Sequence, residues 1–198
     1  LEFRRVLFRS LHLYVIGIRG SGISFRELGR AGTYRVTYTL NGGKNSKYNA
    51  SSYTDYIEVE PMAPTRKGYQ FAGWYSDAGF TQKIYRINGR NGNVRLYAKW
   101  VKVDIGAVKI SKVTAKSKRL DVKMKSLKSA EGYQIMAATD KKFKKNIVKV
   151  SADFDVDKVS VTKLKKGRTY YVRARGWRLD STGKKTYGPW SKTVKKKT

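Results

Sequence analysis

The chain of 198 residues contains no cysteine and a single histidine, His12. The first absence excludes disulfides, thiolate metal sites and cysteine nucleophiles. The second removes multi-histidine metal sites and most histidine relays. Acid is scarce: 14 Asp and Glu stand against 44 Lys and Arg, a formal charge of +30. Three prolines and 18 glycines argue against collagen-like or proline-rich arrays. No stretch approaches the roughly 18 apolar residues of a membrane-spanning helix. What remains is sufficient for packed cores. Hydrophobic residues make up 40%, and the aromatics comprise 14 Tyr, 7 Phe and 4 Trp. Disordered chains are poor in such residues.

Residues 1–33 are irregular. The chain opens with Leu1, and the run LEFRRVLFRS has no clear period. Leu7–Ser10 can be encoded by CTC TTC CGA TCT, which resembles the end of a sequencing adaptor. Residues 1 to about 10 are therefore expected to be a translated artefact, to be set aside in fold reasoning. The apolar run Leu11–Ile18 is short, is interrupted by Gly17 and leads to Arg19 without a small-residue cleavage site, so it does not read as a signal peptide. GIRGSG at Gly17–Gly22 lacks the strand and helix that a phosphate loop needs. The expectation for 1–33 is an artefactual or poorly ordered leader and linker.

Residues 34–100 change character. Tyr34, Val36, Tyr38 and Leu40 alternate with Arg35, Thr37 and Thr39, the pattern of a half-buried strand. Asn41-Gly42-Gly43 supplies a turn. Tyr53–Val59 predicts a second extended segment. Pro61 and Pro64 then forbid helix. GYQFAGWYSD (Gly68–Asp77) reads as a strand leaving a turn. Val94, Leu96, Ala98 and Trp100 share one face of a last strand, preceded by the turn cluster NGRNGN.

Residues 101–198 read as β throughout. Alternating sets occur at Leu120, Val122, Met124; at Tyr133, Ile135, Ala137; and at Tyr170, Val172, Ala174, with further apolar strand positions at Ile147, Val148, Val150 and at Val159, Val161. Tyr187–Val194 is expected to close the fold. Short strands spaced about ten residues apart, with Lys, Gly and Asp turns, signal a sandwich.

Two family resemblances follow from these segments. Tyr34–Trp100 resembles the internalin-type B-repeat, or Listeria–Bacteroides repeat, through VTYTLNGG (Val36–Gly43), PTRKGYQFAGWY (Pro64–Tyr75) and LYAKW (Leu96–Trp100). This implies a small β-grasp-like domain from a secreted or surface-attached bacterial protein. Trp74 and Trp100 are expected as core anchors, since so small a domain has little core to spare, with carbohydrate stacking as their functional alternative. Ile105–Val194 resembles a bacterial fibronectin type III domain. LKKGRTYYVRARGW (Leu164–Trp177) places Leu164 six positions before Tyr170, as in that family's tyrosine corner. GYQIMAAT and YGPWSK fit its strands C and G. Met124 stands where the family usually has Trp, which implies a looser, Met-filled core. The fold class expected is mainly β, a B-repeat domain (34–100) followed by an immunoglobulin-like sandwich (101–198).

The motifs that could carry chemistry have plainer readings. A serine relay would need His12, in the least regular segment. Asp153, Asp155 and Asp157 have the spacing that opens an EF-hand, but Lys158 occupies the glycine position and Leu164 the position of the closing Glu. In an extended chain the three carboxylates simply share a face. No catalytic, cofactor or metal residues are assigned, and an enzyme is not expected. Asn49-Ala50-Ser51 is a formal glycosylation sequon, read as chance in a bacterial chain.

The charge is unevenly shared. Residues 1–33, 34–100 and 101–198 carry net +4, +6 and +20, the last from 28 basic and 8 acidic residues. Successive loops of a serial antiparallel sandwich alternate between its ends. The first loop (Lys116, Lys118, Arg119), the third (Lys141, Lys142, Lys144, Lys145) and the fifth (Lys163, Lys165, Lys166, Arg168) should therefore form one basic pole, joined by Lys195–Lys197. Clustered like charges steer anionic partners. The expected function is that of a fragment of a secreted or cell-wall bacterial protein, a spacer or adhesive stalk. Its expected partners are an anionic wall polymer, a host glycan or a surface protein. The rivals are a basic nucleic-acid binder, permitted by the many Tyr and a pI near 10.3, and the accessory tail of a surface enzyme.

Overall fold

The computed structural model describes residues 13–18, 23–27, 32–154, 156 and 158–198. His12, Asp155, Asp157 and residues 1–10 lie outside this set. The fold is mainly β, with one 3-10 turn at Gly89–Asn91 among the described residues. β1 (Leu13–Ile18) and β2 (Ile23–Glu27) pair antiparallel within the stretch expected as leader and linker.

The strands that follow are β3 (Thr33–Thr39), β4 (Ser52–Thr54), β5 (Tyr69–Tyr75), β6 (Lys83–Ile84) and β7 (Val94–Lys102). They form one sheet in the order β4-β3-β7-β5-β6. Its first long strand and its last, β3 and β7, are parallel neighbours, with Val36 beside Val94 and Tyr38 beside Leu96. Asn41 and Gly42 both take positive φ (48° and 83°) and turn the chain out of β3, as the Asn-Gly pair predicts. The second extended segment is shorter than expected. Only Ser52–Thr54 pairs as strand, and Tyr56 and Ile57 are exposed. Val59 regains pairing through two hydrogen bonds with Ile87 (2.8 and 2.9 Å).

Chain segments group into two compact units. The first holds the described residues up to Asn41, with 45–63 and 73–99; the second holds 42–44, 64–72 and 100–198. In the first unit Val36, Tyr53, Trp74, Ile87, Leu96 and Ala98 are buried. Trp74 is 2% exposed, donates its Nε1–H to the Met62 carbonyl at 3.2 Å and lies 5.2 Å from the Tyr38 ring. It is a core anchor. Trp100, also expected as one, is only half-buried, edge-on to Phe71 at 5.5 Å.

The second unit is built on a sandwich. Its smaller sheet, in the order β12-β9-β8, contains β8 (Ile110–Lys116), β9 (Arg119–Met124) and β12 (Lys158–Val161). Its larger sheet runs β11-β10-β13-β14, where β10 is Gly132–Ala138, β11 Val148–Asp153, β13 Thr169–Leu179 and β14 Lys185–Tyr187. β15 (Val194–Lys197) also pairs with β13. Inward-facing Leu120, Val122, Met124 and Val161 meet Tyr133, Ile135, Val172 and Ala174 in one core. This is an immunoglobulin-like arrangement of two antiparallel sheets. The expected closing strand Tyr187–Val194 is split into β14 and β15. Pro189 has no N–H for the ladder, and the chain between them holds β13 through Gly188 N to Gly176 O (3.0 Å), Ser191 N to Ala174 O (2.7 Å) and Ala174 N to Ser191 Oγ (3.0 Å). Residues 64–72 join this unit through the β13–β14 turn, where the Gly68 amide donates to Asp180 Oδ2 at 2.8 Å and the Ser181 amide to the Tyr69 carbonyl at 2.8 Å.

Candidate functional site: the basic pole of the second unit

Strand register assembles the pole. The β8–β9 turn closes on the pair Lys116 and Arg119. The Leu164 amide donates to the Lys118 carbonyl at 3.0 Å, which brings the β12–β13 loop against that turn. β10 ends at Ala138 beside Tyr171, two residues into β13, so the β10–β11 loop opens at the same end. β15 returns along β13 with Lys197 opposite Thr169. Thr198 then exchanges hydrogen bonds with Gly167 (2.9 Å) and Arg168 (3.0 Å). The three loops and Lys195–Lys197 thus share one end.

Each loop is fixed locally. In the third, Asp140 accepts from the amides of Lys142 (3.1 Å), Lys144 (2.9 Å) and Lys145 (2.6 Å). Burial would raise the Asp140 pKa, but these amides outweigh it and hold the carboxyl below its usual value. The backbone turns while the lysine heads stay in water. Each loop also contains a non-glycine residue at positive φ: Lys118 (57°), Phe143 (55°) and Lys163 (60°). In the fifth loop the Lys165 amide donates to the Tyr170 hydroxyl at 3.0 Å.

Two of the eleven predicted residues are engaged elsewhere. Asp121, 8% exposed, accepts from Ser160 Oγ at 2.7 Å and lies 3.0 Å from Arg119 Nε and 3.5 Å from Lys116 Nζ. The Ser160 hydrogen bond and then the two cations, against the opposing effect of burial, hold its carboxyl below the ordinary range. Lys116 and Arg119 therefore serve a structural carboxylate. The other nine side chains are exposed and form no ion pair with a described carboxylate. At the opposite end Arg178 is paired with a carboxylate. Arg178 Nε lies 3.1 Å from Glu131 Oε1, and the Leu179 amide donates to Glu131 Oε2 at 2.9 Å.

Other candidates resolve differently. Trp74 is too buried to stack on a sugar. Asn49 of the sequon is engaged on both sides of its amide: it accepts from the Met62 amide at 2.7 Å and donates to Asn45 Oδ1 at 2.7 Å. Among the described residues no group of three or more His, Cys, Asp or Glu could hold a metal ion. Among the described residues no helix is long and apolar enough to cross a membrane. One feature escaped the sequence reading. Arg173 and Arg175 form an aromatic-packed row on the outer face of the larger sheet, signalled only by their alternation with Val172 and Ala174.

The parallel β3–β7 pair, the Asn41-Gly42 turn and the buried Trp74 all lie within a segment shared with known proteins. Residues 34–99 match the Listeria-Bacteroides repeat domain. The repeat covers one third of the chain. Over 68 residues the chain is 34% and 32% identical to two proteins of Evansella cellulosilytica, named "Putative Gly-rich membrane protein" and "Putative membrane protein". Those segments make up 34% of this chain, but the chain spans only 8% and 10% of the two relatives. Among solved structures, a chicken CNTN1 fragment with domains FN1–FN3 aligns at TM-score 0.41 and 15% identity, over 87% of this chain and 68% of that one. A structure titled "Myokine structure" aligns at TM-score 0.34 and 19% identity, over 46% of this chain and 95% of that one.

Proposed function

We propose that the chain is part of a bacterial surface protein, in which the repeat and a fibronectin type III module serve a structural and adhesive role, with the basic pole holding an anionic wall polymer. The observation that carries this reading is the gathering at one pole of nine exposed cations on three loops, none in an ion pair with a described carboxylate, together with Lys195–Lys197 at the chain end. Fields from such clusters concentrate polyanions at the surface and are screened by salt over about 8–10 Å. The repeat, and relatives named as membrane proteins, support the surface setting. The strand order and the Tyr170 hydrogen bond support the type III assignment.

The test compares two charge reversals in the full chain. One changes Lys142, Lys145, Lys163 and Lys166 to Glu. The other changes Lys109, Lys112, Lys123 and Lys158, on or beside the smaller sheet, to Glu. Both alter net charge equally. Retention on immobilised poly(glycerol phosphate) in low salt should fall sharply for the first and little for the second. Equal losses would mean that net charge alone governs binding.

A further inference from the structure

The outer face of the larger sheet carries a second cationic feature, of a different kind from the loops. Tyr171, Arg173, Arg175 and Trp177 point away from the core on β13, opposite in phase to buried Tyr170, Val172 and Ala174. The Arg173 guanidinium lies 4.0 Å from the centroid of Phe143 and 4.2 Å from that of Trp190. Arg175 lies 4.3 Å from Trp190 and 3.9 Å from Tyr187. Outward residues two apart on a strand are separated by about 6.6 Å, and both guanidiniums reach the Trp190 indole. Farther along, Lys185 Nζ sits 3.7 Å from the Trp177 ring.

Such packing leaves a particular set of groups free. Arg175 donates through Nε (3.0 Å) and Nη2 (2.7 Å) to Gln134 Oε1, and Arg173 Nη2 meets only Met136 Sδ at 3.5 Å, a weak acceptor. Nη1 of each has no protein partner among the described residues, and Arg173 Nε is buried without one. Neither arginine forms an ion pair with a described carboxylate. Lys195 and Lys197 lie across from Tyr171 and Thr169 on the same face, and continue the row to the basic pole. Phe143, stacked on Arg173, belongs to the third basic loop, so row and pole are contiguous.

We propose that this face is an anion track, in which Arg173 and Arg175 bind successive phosphates of a linear polyol-phosphate wall polymer that continues onto the basic pole. The inference rests on the surface-module reading and assigns its ligand class. Guanidinium forks match phosphate oxygens in geometry, and stacking between rings fixes their planes before the ligand arrives. Burial lowers the pKa of both arginines, as expected of cations held without a counter-charge. The same stacking argues against single-stranded nucleic acid. Base recognition needs free ring faces, and a guanidinium already lies over each of the Phe143, Trp190 and Tyr187 rings.

The experiment uses the full chain, poly(glycerol phosphate) as probe, and oligodeoxythymidylate of equal phosphate number as comparison. Arginine-specific labelling by phenylglyoxal, read by peptide mass spectrometry, should slow at Arg173 and Arg175 when the polymer is present. The double variant Arg173→Lys, Arg175→Lys keeps the charge and removes the fork. It should bind the polymer at least tenfold more weakly. Labelling unaffected by the polymer would overturn the track; this wild-type readout stands even if the variant folds poorly. If the loop reversal abolishes binding while Arg173 and Arg175 stay unprotected, the pole reading survives and the track does not. If neither the pole nor the track responds, both fail. Tighter binding of oligodeoxythymidylate with quenching of tryptophan fluorescence would assign the face to nucleic acid.

Discussion

The Tyr170 hydroxyl accepts the amide proton of Lys165 at 3.0 Å, fastening the β12–β13 loop to the strand that leaves it. Tyr133 does the same at the other end of the sandwich, accepting from the Leu127 amide at 2.9 Å. Both rings are buried, at 2% and 1% exposure, so each hydroxyl anchors a loop from inside the core. A buried amide deprived of its acceptor costs about 1–3 kcal/mol. Tyr170→Phe and Tyr133→Phe should each destabilise the second unit by that amount in urea unfolding. Because Tyr170 sets a basic loop, its variant should also loosen polymer retention, whereas Tyr133→Phe should not.

Trp74→Ala removes a fully buried indole together with its hydrogen bond to Met62. Large-to-small changes of this type cost about 3–5 kcal/mol. Trp100→Ala, at a half-buried site, should cost clearly less. Thermal unfolding of the two variants checks the order. A Trp74→Ala protein as stable as its parent would remove that residue from the core.

Asp180 should make stability depend on acid. Burial would raise its pKa, but hydrogen bonds from the Thr182 side chain and the amides of Gly68, Thr182 and Lys184 prevail and hold the carboxyl well below the usual range. A depressed folded-state pKa gives stability that is fully present above the unfolded value, about 3.9, and is lost as pH falls below it. Asp180→Asn should lower stability at pH 7 by about 1.5–3 kcal/mol, since a charge-assisted acceptor is lost. The gap between parent and variant should narrow below about pH 4. A gap independent of pH would mean that the carboxylate charge contributes nothing.

Gly132 lies under the Trp177 indole. A Cβ there would come within 2.4 Å of the indole and 2.6 Å of the Ala152 carbonyl. Gly132→Ala must displace either the strand pair or the ring, at a cost of about 1–3 kcal/mol. Moving Trp177 also separates it from Lys185, so the variant should change tryptophan fluorescence as well as the urea midpoint.

Local pattern carried much of this protein. Alternation along Leu120–Met124, Tyr133–Ala137 and Tyr170–Ala174 set which face each strand buries, because side chains of an extended chain alternate by geometry alone. Asn41-Gly42 marked a turn that needs positive φ, and Leu164 with Tyr170 marked the loop anchor. The three basic loops followed from strand count, since antiparallel strands must alternate their ends. Pairing between distant segments decided the rest. Tyr187–Val194 read as a single strand, yet Pro189 breaks its ladder and frees Trp190 to lie across β13. Lys116 and Arg119 read as free surface charge until the β8–β9 turn set Asp121 beside them and β12 added Ser160. In the sequence Arg173 and Arg175 merely alternate with Val172 and Ala174. Their neighbours Phe143 and Trp190 come from chain 30 and 17 residues away in sequence from Arg173. A period-two pattern records which side a residue faces, but not what another strand or loop sets upon it. That depends on non-local closure of the sandwich, where the free energy of packing rather than local preference selects the partner.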